Sequence, residues 1–212
     1  MQLFFDFDGV ILDSVSIRTK GFEEVLKNHD AQDVKKLIDY HILNGGISRY
    51  SKFKWFYKEV LNKELSEEKL SEYTNDFSNI MLRELTNKKY LIIETLDFLE
   101  KTFLSMPMHI VSGSDQDELR HLCKELDIEK YFNSIHGSPT EKTINIKNML
   151  DQFDYDAEDT LMIGDSINDY QAAFDNGVYF CGFNQPSLKE LKDSYYIDDF
   201  KSFEPHRVIC NR

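Results

Sequence analysis

The sequence is poor in cysteine, glycine and proline. Its 212 residues include three cysteines, nine glycines and four prolines. Three widely spaced cysteines, Cys123, Cys181 and Cys210, cannot build a dense disulfide framework, and we interpret them as reduced core residues in a reducing compartment. The low glycine and proline content excludes collagen-like and low-complexity chains. These absences leave an ordinary globular protein.

The chain also lacks an excess of positive charge and any long apolar run. Its net charge is −13, which argues against nucleic acids and anionic membranes as partners, because phosphate backbones are bound by clustered Lys and Arg. No apolar stretch approaches the roughly 18–20 residues of a membrane span. The first apolar stretch is interrupted by Asp6 and Asp8 and has no basic leader, so we do not expect it to be a signal peptide. We therefore expect a cytoplasmic protein that is a monomer or a weak homo-oligomer.

Aromatic residues are abundant, and their spacing separates the chain into parts. There are 16 Phe and 11 Tyr, ample for a packed core. Residues 2–7 form an apolar run typical of a buried strand. From 15 to 89 the pattern is helical, with a helix start at Ser66 and a loop at 44–46.

After residue 90 the pattern alternates between strands and helices. The predicted strands are 108–111, 131–136, 160–163, 178–181 and 195–197, and the predicted helices are 117–126, 142–153 and 168–176. This alternation favours a parallel sheet covered by helices on both faces. We predict an α/β fold: a Rossmann-like three-layer core from 1–13 and 90–212, with an all-helical cap domain inserted at 14–89.

Two acidic motifs follow predicted buried strands. Asp6 and Asp8 are alternate residues and would project to the same side of an extended strand, with Gly9 letting the chain turn away. One carboxylate could attack phosphorus while the other handles the proton of the leaving oxygen. The alternative is a strand-end acid pair before a turn.

The second motif is Asp165 with Asp169, four residues apart on an opening helix. The alternative here is helix capping by Asp165 or Ser166. Because parallel strands end at one edge of a sheet, the two motifs should meet there. Such a cluster of buried carboxylates needs a cation, and a divalent metal would suit.

Two further segments offer groups that bind anions. Ser112-Gly113-Ser114 follows a strand and precedes a predicted helix, where hydroxyl and amide groups can cradle an anion. Lys142 could neutralise phosphoryl oxygens and the attacking carboxylate. Taken alone, the Ser-Gly-Ser segment is a weak signal that a helix cap also explains, and Lys142 is better interpreted as a solvated surface lysine.

Taken in order, the four motifs resemble the haloacid dehalogenase superfamily of phosphotransferases. Residues 6–14 look like the branch that contains phosphoglycolate phosphatase and β-phosphoglucomutase, whose members carry a helical cap after the first motif. The dehalogenases lack the second acid of that motif, so Asp8 favours phosphate ester chemistry.

The resemblance implies a role for each motif residue. Asp6 would be the nucleophile, and Asp8 the general acid/base that also gives its backbone carbonyl to Mg²⁺. Asp165 and Asp169 would complete the site of this cofactor. Lys142 would stabilise Asp6 and the phosphoryl group. That group would be held by the segment that carries Ser112, Gly113 and Ser114, with Gly9 nearby.

The cap would set specificity. Arg49 lies in a Gly-x-Ser-Arg context similar to the cap segment in which the mutase binds a distal phosphate. The alternative is that Ser48 caps a helix and Arg49 faces solvent. We interpret Lys52 and Lys54 as surface residues. A histidine expected in the linker is missing or replaced by Arg18, which weakens the mutase interpretation.

The sequence thus predicts a Mg²⁺-dependent phosphatase that acts on a small phosphorylated metabolite, a sugar phosphate being one example, through an aspartyl phosphate. One alternative is a phosphomutase of the β-phosphoglucomutase type. Another is a catalytically quiet binding or regulatory protein on the same fold.

Overall fold

The computed structural model describes residues 1–192 and 194–210. Within these residues, six parallel strands form one sheet in the order β3-β2-β1-β4-β5-β6. The strands are β1 Gln2–Phe5, β2 Met108–Asp115, β3 Ser134–Ser138, β4 Thr160–Gly164, β5 Tyr179–Phe183 and β6 Tyr195–Ile197. The predicted α/β fold with a parallel sheet is confirmed.

Helices cover both faces of this sheet. They are α1 Val15–Val25, α2 Ala31–Leu43, α3 Arg49–Trp55, α4 Glu67–Leu85, α5 Ile93–Thr102, α6 Gln116–Glu125, α7 Lys142–Phe153, α8 Ile167–Asp175 and α9 Pro205–Cys210. None of the helices in the described ranges combines the length and the apolar character needed to cross a membrane.

The central strand shows how the sheet separates two apolar layers. Leu3 and Phe5 of β1 are buried in one cluster, whereas Phe4 between them is buried in the other. This alternation is the two-residue period of a strand buried on both faces. Ile146 of α7 and Ala172 of α8 belong to the layer of Phe4. Helices α5, α6 and α1–α4 contribute to the other layer.

Helices α1–α4, with the loops between them, form what we call the helical segment. Its core is aromatic: Phe22 contacts Phe53 and Phe77, and Trp55 stacks on Tyr40 with ring centroids 4.0 Å apart. As predicted, Ser66 caps α4, since its hydroxyl accepts from the amide of Lys69. The division into a core and an inserted domain at 14–89 stays a prediction.

Several boundaries differ from the prediction. β1 ends at Phe5, so Asp6 and Asp8 lie beyond the strand. β2 continues to Asp115, so Ser112-Gly113-Ser114 is strand instead of a strand-to-helix loop, and α6 begins only at Gln116. Glycine and serine gave no strand signal, and β2 pairs with β3 at Val111 and again at Asp115, with an irregular register between these two residues. The helix 142–153 has the predicted bounds.

The predicted burial of the cysteines is confirmed for two of them. Cys123 and Cys181 are free and fully buried. The side chain of Cys210 lies outside the described part of the structure.

Candidate active site

The two acidic motifs meet at the carboxyl edge of the sheet. Phe5 of β1 pairs in register with Ile163 of β4, and the amide of Asp6 donates to the carbonyl of Ile163 at 2.9 Å. Carboxylate oxygens of Asp6, Asp165 and Asp169 all lie within 4.8 Å of one another. The predicted convergence of the beginning of the chain with residues 165–169 is therefore observed.

Burial and mutual repulsion set the protonation of these acids. Burial, followed by repulsion from Asp169, raises the pKa of Asp6 to about 7. Burial and the charge of Asp6 likewise raise the pKa of Asp165 well above its ordinary value. Carboxylates forced together in a dry site favour protons or a cation. The oxygen donor set fits a hard divalent cation such as Mg²⁺, which Asp6, Asp165 and Asp169 would hold.

Lys142 lies among these carboxylates. It is the first residue of α7. Its ammonium nitrogen lies 3.0 Å from Oδ1 of Asp6 and also contacts Oδ1 of Asp169. Burial acts to lower the pKa of Lys142, but attraction to Asp169 and Asp6 outweighs it and the pKa is raised. Lys142 is therefore a fixed positive charge beside Asp6.

Asp169 also belongs to the start of α8. The hydroxyl of Ser166 caps this helix, and Asp169 in return accepts from the amide of Ser166. The capping interpretation is thus confirmed for Ser166. The same capping box fixes the Asp169 side chain, so capping and a place in the acidic cluster are compatible.

Asp8 lies apart from the three-acid cluster. Its Oδ1 accepts from Ser14 Oγ and, at 2.5 Å, from Nε of Arg18, while its Oδ2 accepts from Ser114 Oγ at 2.6 Å. Burial acts to raise the pKa of Asp8, but Arg18 and the hydroxyl donors outweigh it, so the pKa is lowered. This environment favours the carboxylate form of Asp8.

Two glycines allow the backbone to approach closely at this edge. Gly9 has φ +76°, and a Cβ there would lie 2.0 Å from Oδ2 of Asp165. A Cβ on Gly113 would lie 2.1 Å from the carbonyl oxygen of Gly46 in the helical segment. The predicted binding segment therefore touches the loop after α2, and it includes Ser112, which is also buried.

The helical segment closes one side of a cavity of about 570 Å³. Its lining includes Asp6, Asp8 and Asp165 from the sheet edge and Arg18 from the helical segment. Asn168 donates to the carbonyl of Gly45 at 2.6 Å, which ties the helical segment to α8.

The structure contradicts one of the two interpretations of Arg49, the one in which it faces solvent. Ser48 does cap α3, yet Arg49 is only 4% exposed and does not face solvent. Its Nη2 lies 2.5 Å from Oε2 of Glu118, and its Nη1 donates to Ser78 at 2.7 Å. Arg49 lines the cavity, and its part in substrate binding stays a prediction.

Two site residues were missed from the sequence. Glu118 of α6 is fully buried and pairs with both Arg18 and Arg49. Lys52, interpreted as a surface residue, is 3% exposed, lines the cavity and lies 2.9 Å from Nδ1 of His41. That interpretation is wrong, whereas Lys54 is exposed as expected.

Comparison with known proteins identifies the family. A family model described as haloacid dehalogenase-like hydrolase matches residues 3–183. The chain belongs to this family. The search of curated proteins gave no match.

Solved structures of the same fold share little sequence with this haloacid dehalogenase-like hydrolase. One is a predicted phosphoglycolate phosphatase from Haemophilus somnus, with TM-score 0.71, 19% identity and 94% of each chain covered. A second is β-phosphoglucomutase from Clostridium difficile, with TM-score 0.77, 16% identity and 98% and 94% covered. A third is a mutant CbbY from Rhodobacter sphaeroides with xylulose-1,5-bisphosphate, with TM-score 0.73, 14% identity and 95% of each chain covered.

Proposed function

We propose that the protein is a Mg²⁺-dependent phosphatase that hydrolyses a small phosphate monoester through an aspartyl phosphate. One observation carries the proposal: Asp6 is buried at a sheet edge beside Lys142 and within 4.8 Å of two further acids. An anionic nucleophile can approach an anionic ester only where positive charge offsets the repulsion. Lys142 supplies one such charge.

In the first half of the proposed reaction, a carboxylate oxygen of Asp6 attacks phosphorus and the ester P–O bond breaks. Asp8 must take up a proton before this step, because Arg18 and two hydroxyl groups favour its carboxylate form in the free protein. It then gives that proton to the departing alkoxide. In the second half, water gives a proton to Asp8 and attacks phosphorus, which breaks the bond to Asp6 and releases inorganic phosphate. Arg18 favours the charged form of Asp8 and so supports its part as base in this second half.

The remaining motif residues would position the ester. Ser112, Ser114 and the amide of Gly113 line the cavity beside Asp8 and would hold the transferring group, with Gly9 leaving room for the backbone. Mg²⁺, held by Asp6, Asp165 and Asp169, with the Asp8 carbonyl, would stabilise negative charge on the phosphoryl oxygens. We further propose that the helical segment acts as a cap, and that the protein is cytoplasmic.

The CbbY structure contains a sugar bisphosphate, and the β-phosphoglucomutase is named for a sugar phosphate. These neighbours support a small phosphorylated metabolite as substrate. The same fold also serves a mutase, so the product must be identified. Inorganic phosphate indicates a hydrolase, and an isomerised sugar phosphate indicates a mutase.

The test is phosphate release from a panel of phosphorylated metabolites and an aryl phosphate, with and without Mg²⁺. Asp6→Asn keeps the acceptor for the Phe7 amide, which lies 2.7 Å from Oδ1, but removes the nucleophile. We expect it to lose at least about a thousandfold in kcat. The exposed Asp97→Asn on α5 is the matched control.

Activity of Asp6→Asn equal to that of the wild type would rule out this mechanism. A folded wild-type protein that turns over no member of the panel would instead favour the binding or regulatory alternative.

A further inference from the structure

The helical segment brings three buried nitrogen-bearing side chains to the cavity. Arg18 of α1, His41 of α2 and Lys52 of α3 each have an exposed fraction of 7% or less, and each lines the cavity. They belong to three different helices, so only the packing of the helical segment brings them together.

Charge matching singles out Lys52. Arg18 pairs with Asp8 and Glu118, and Arg49 pairs with Glu118. Within the described ranges, no carboxylate lies at ion-pair distance from the ammonium of Lys52, whose polar contact is Nδ1 of His41. A buried ammonium without a carboxylate partner is costly, and a bound anion would remove the cost.

The neighbouring donors are also unsatisfied. If Nδ1 of His41 accepts from Lys52, the neutral ring carries its hydrogen on Nε2. That atom and Nη2 of Arg18 are both buried and have no hydrogen-bond partner among the described residues. A lysine ammonium has two further N–H bonds to offer once one is directed at His41. Unsatisfied buried donors are rare in folded proteins, and these converge around one cavity.

These donors lie near the acidic groups at which the proposed reaction takes place. Arg18 contacts Asp8 through Nε at 2.5 Å, and Lys52 is attracted by the charges of Asp8, Asp165 and Asp6. A small molecule with its phosphate at Asp6 would therefore reach Lys52 with its other end. Arg49, for which the sequence left both this task and a solvent-facing position open, already has its charge matched by Glu118.

We propose that Lys52, His41 and Nη2 of Arg18 form a second anion subsite, so that the preferred substrate is a phosphate monoester carrying another carboxylate or phosphate. This inference rests on the proposed phosphatase function. Either anion would fit this subsite, because both place a negatively charged group at the end of a short chain. The substrates of the test distinguish a carboxylate from a phosphate.

The test compares short ω-carboxyalkyl phosphates and alkanediol bisphosphates with alkyl phosphates of the same length. The variants are Lys52→Met, Lys52→Arg and the exposed control Lys54→Met on the same helix. We expect the wild type to prefer an ester with the second anion by at least about tenfold in kcat/KM, the size of one charge-assisted hydrogen bond.

In Lys52→Met this preference should disappear, through a KM that rises more for the esters with the second anion than for the alkyl phosphates. Lys52→Arg should restore part of the preference, and Lys54→Met should keep all of it. Equal losses on both kinds of ester in Lys52→Met would show that Lys52 serves the transferring phosphoryl group, and would overturn the proposal. A wild type without preference would also overturn it.

A binding experiment separates failure of the subsite from failure of the phosphatase function. Phosphonate analogues are not hydrolysed, so their affinities can be measured by calorimetry even for an inactive protein. We expect ω-carboxyalkyl or bisphosphonate ligands to bind the wild type about tenfold more tightly than alkyl phosphonates, with the difference absent in Lys52→Met. Equal affinities in the wild type would refute the subsite, whether or not the protein turns over any ester.

Discussion

Replacing Lys52 by methionine should stabilise the ligand-free protein, by an amount that depends on pH. Burial, followed by repulsion from Arg18, lowers the pKa of Lys52 from 10.5 to about 7, although Asp8, Asp165 and Asp6 attract the ammonium. His41, the other titratable neighbour, has its own pKa lowered to about 3 by burial and by Lys52, so it is neutral above pH 5. The unfolded chain therefore binds a proton at Lys52 more tightly than the folded protein does.

The sign and size of the effect follow from this difference. A lysine whose pKa falls on folding reduces stability below its unfolded pKa, and the loss is recovered as pH rises from about 7 to 10.5. With about 1.4 kcal/mol for each tenfold change in proton affinity, the cost is about 4 kcal/mol at pH 7 and about 2 kcal/mol at pH 9. Methionine is similar in length and carries no charge.

The substitution also removes the hydrogen bond to His41, which costs about 1–3 kcal/mol at any pH in this range. The net gain at pH 7 is therefore smaller than 4 kcal/mol. The loss of the hydrogen bond is the same at pH 7 and pH 9, so it cancels when the stabilisation at one pH is subtracted from that at the other. This difference in stabilisation should be about 2 kcal/mol.

Urea unfolding of the wild type, Lys52→Met and Lys54→Met at pH 7, 8 and 9 measures this difference. Lys54 is exposed on the same helix, so its substitution should follow the wild type at each pH. The reasoning is refuted if Lys52→Met parallels the wild type across this range.

Three further outcomes are expected. Mg²⁺ at about a hundredfold above its Kd should raise the free energy of unfolding by about 2.7 kcal/mol in the wild type, and far less in Asp165→Asn, as followed by thermal shift. Glu118→Gln should lower stability by about 3 kcal/mol, because the buried guanidinium of Arg49 loses its carboxylate partner and Arg18 keeps only Asp8. The exposed Glu125→Gln on the same helix should change stability little, and equal denaturation midpoints for the two variants would contradict this. Burial lowers the pKa of His109 to about 4, so as pH falls from 6.5 towards 4 the unfolded chain takes up a proton that the folded protein does not. Between pH 7 and 5 the free energy of unfolding of the wild type should therefore fall by about 2 kcal/mol more than that of His109→Gln, with the exposed His121→Gln as control.

The sequence was sufficient for the features that depend on local pattern. The acids after β1 and β4 were placed together because parallel strands end at one edge, and the helix from Lys142 to Phe153 followed from its apolar period. The order of four separated motifs then pointed to the family, which the match over residues 3–183 confirmed. The periodic spacing of apolar residues and the order of the motifs are both visible in a single sequence, so they suffice to predict these features.

Buried charges were not predictable in the same way. Glu118 lies in the first turn of α6, where an acid is usual, and nothing local shows that Arg18 and Arg49 meet it from other helices. Lys52 occupies a polar position of an amphipathic helix whose neighbours in space are set by α1 and α2. Such contacts join residues far apart in sequence, and a single sequence does not reveal their pairing.

The close approach of Gly113 and Gly46 makes the joint between sheet and helical segment sensitive to a single methyl group. A Cβ on Gly113 would overlap the carbonyl oxygen of Gly46 at 2.1 Å, and one belongs to β2 and the other to the loop after α2. An alanine at Gly113 could be accommodated only if β2 and the loop after α2 moved apart. This separation would open the cavity between the sheet and the helical segment and expose Asp6 to bulk water. The shielding of the nucleophile therefore depends on the absence of a side chain at Gly113.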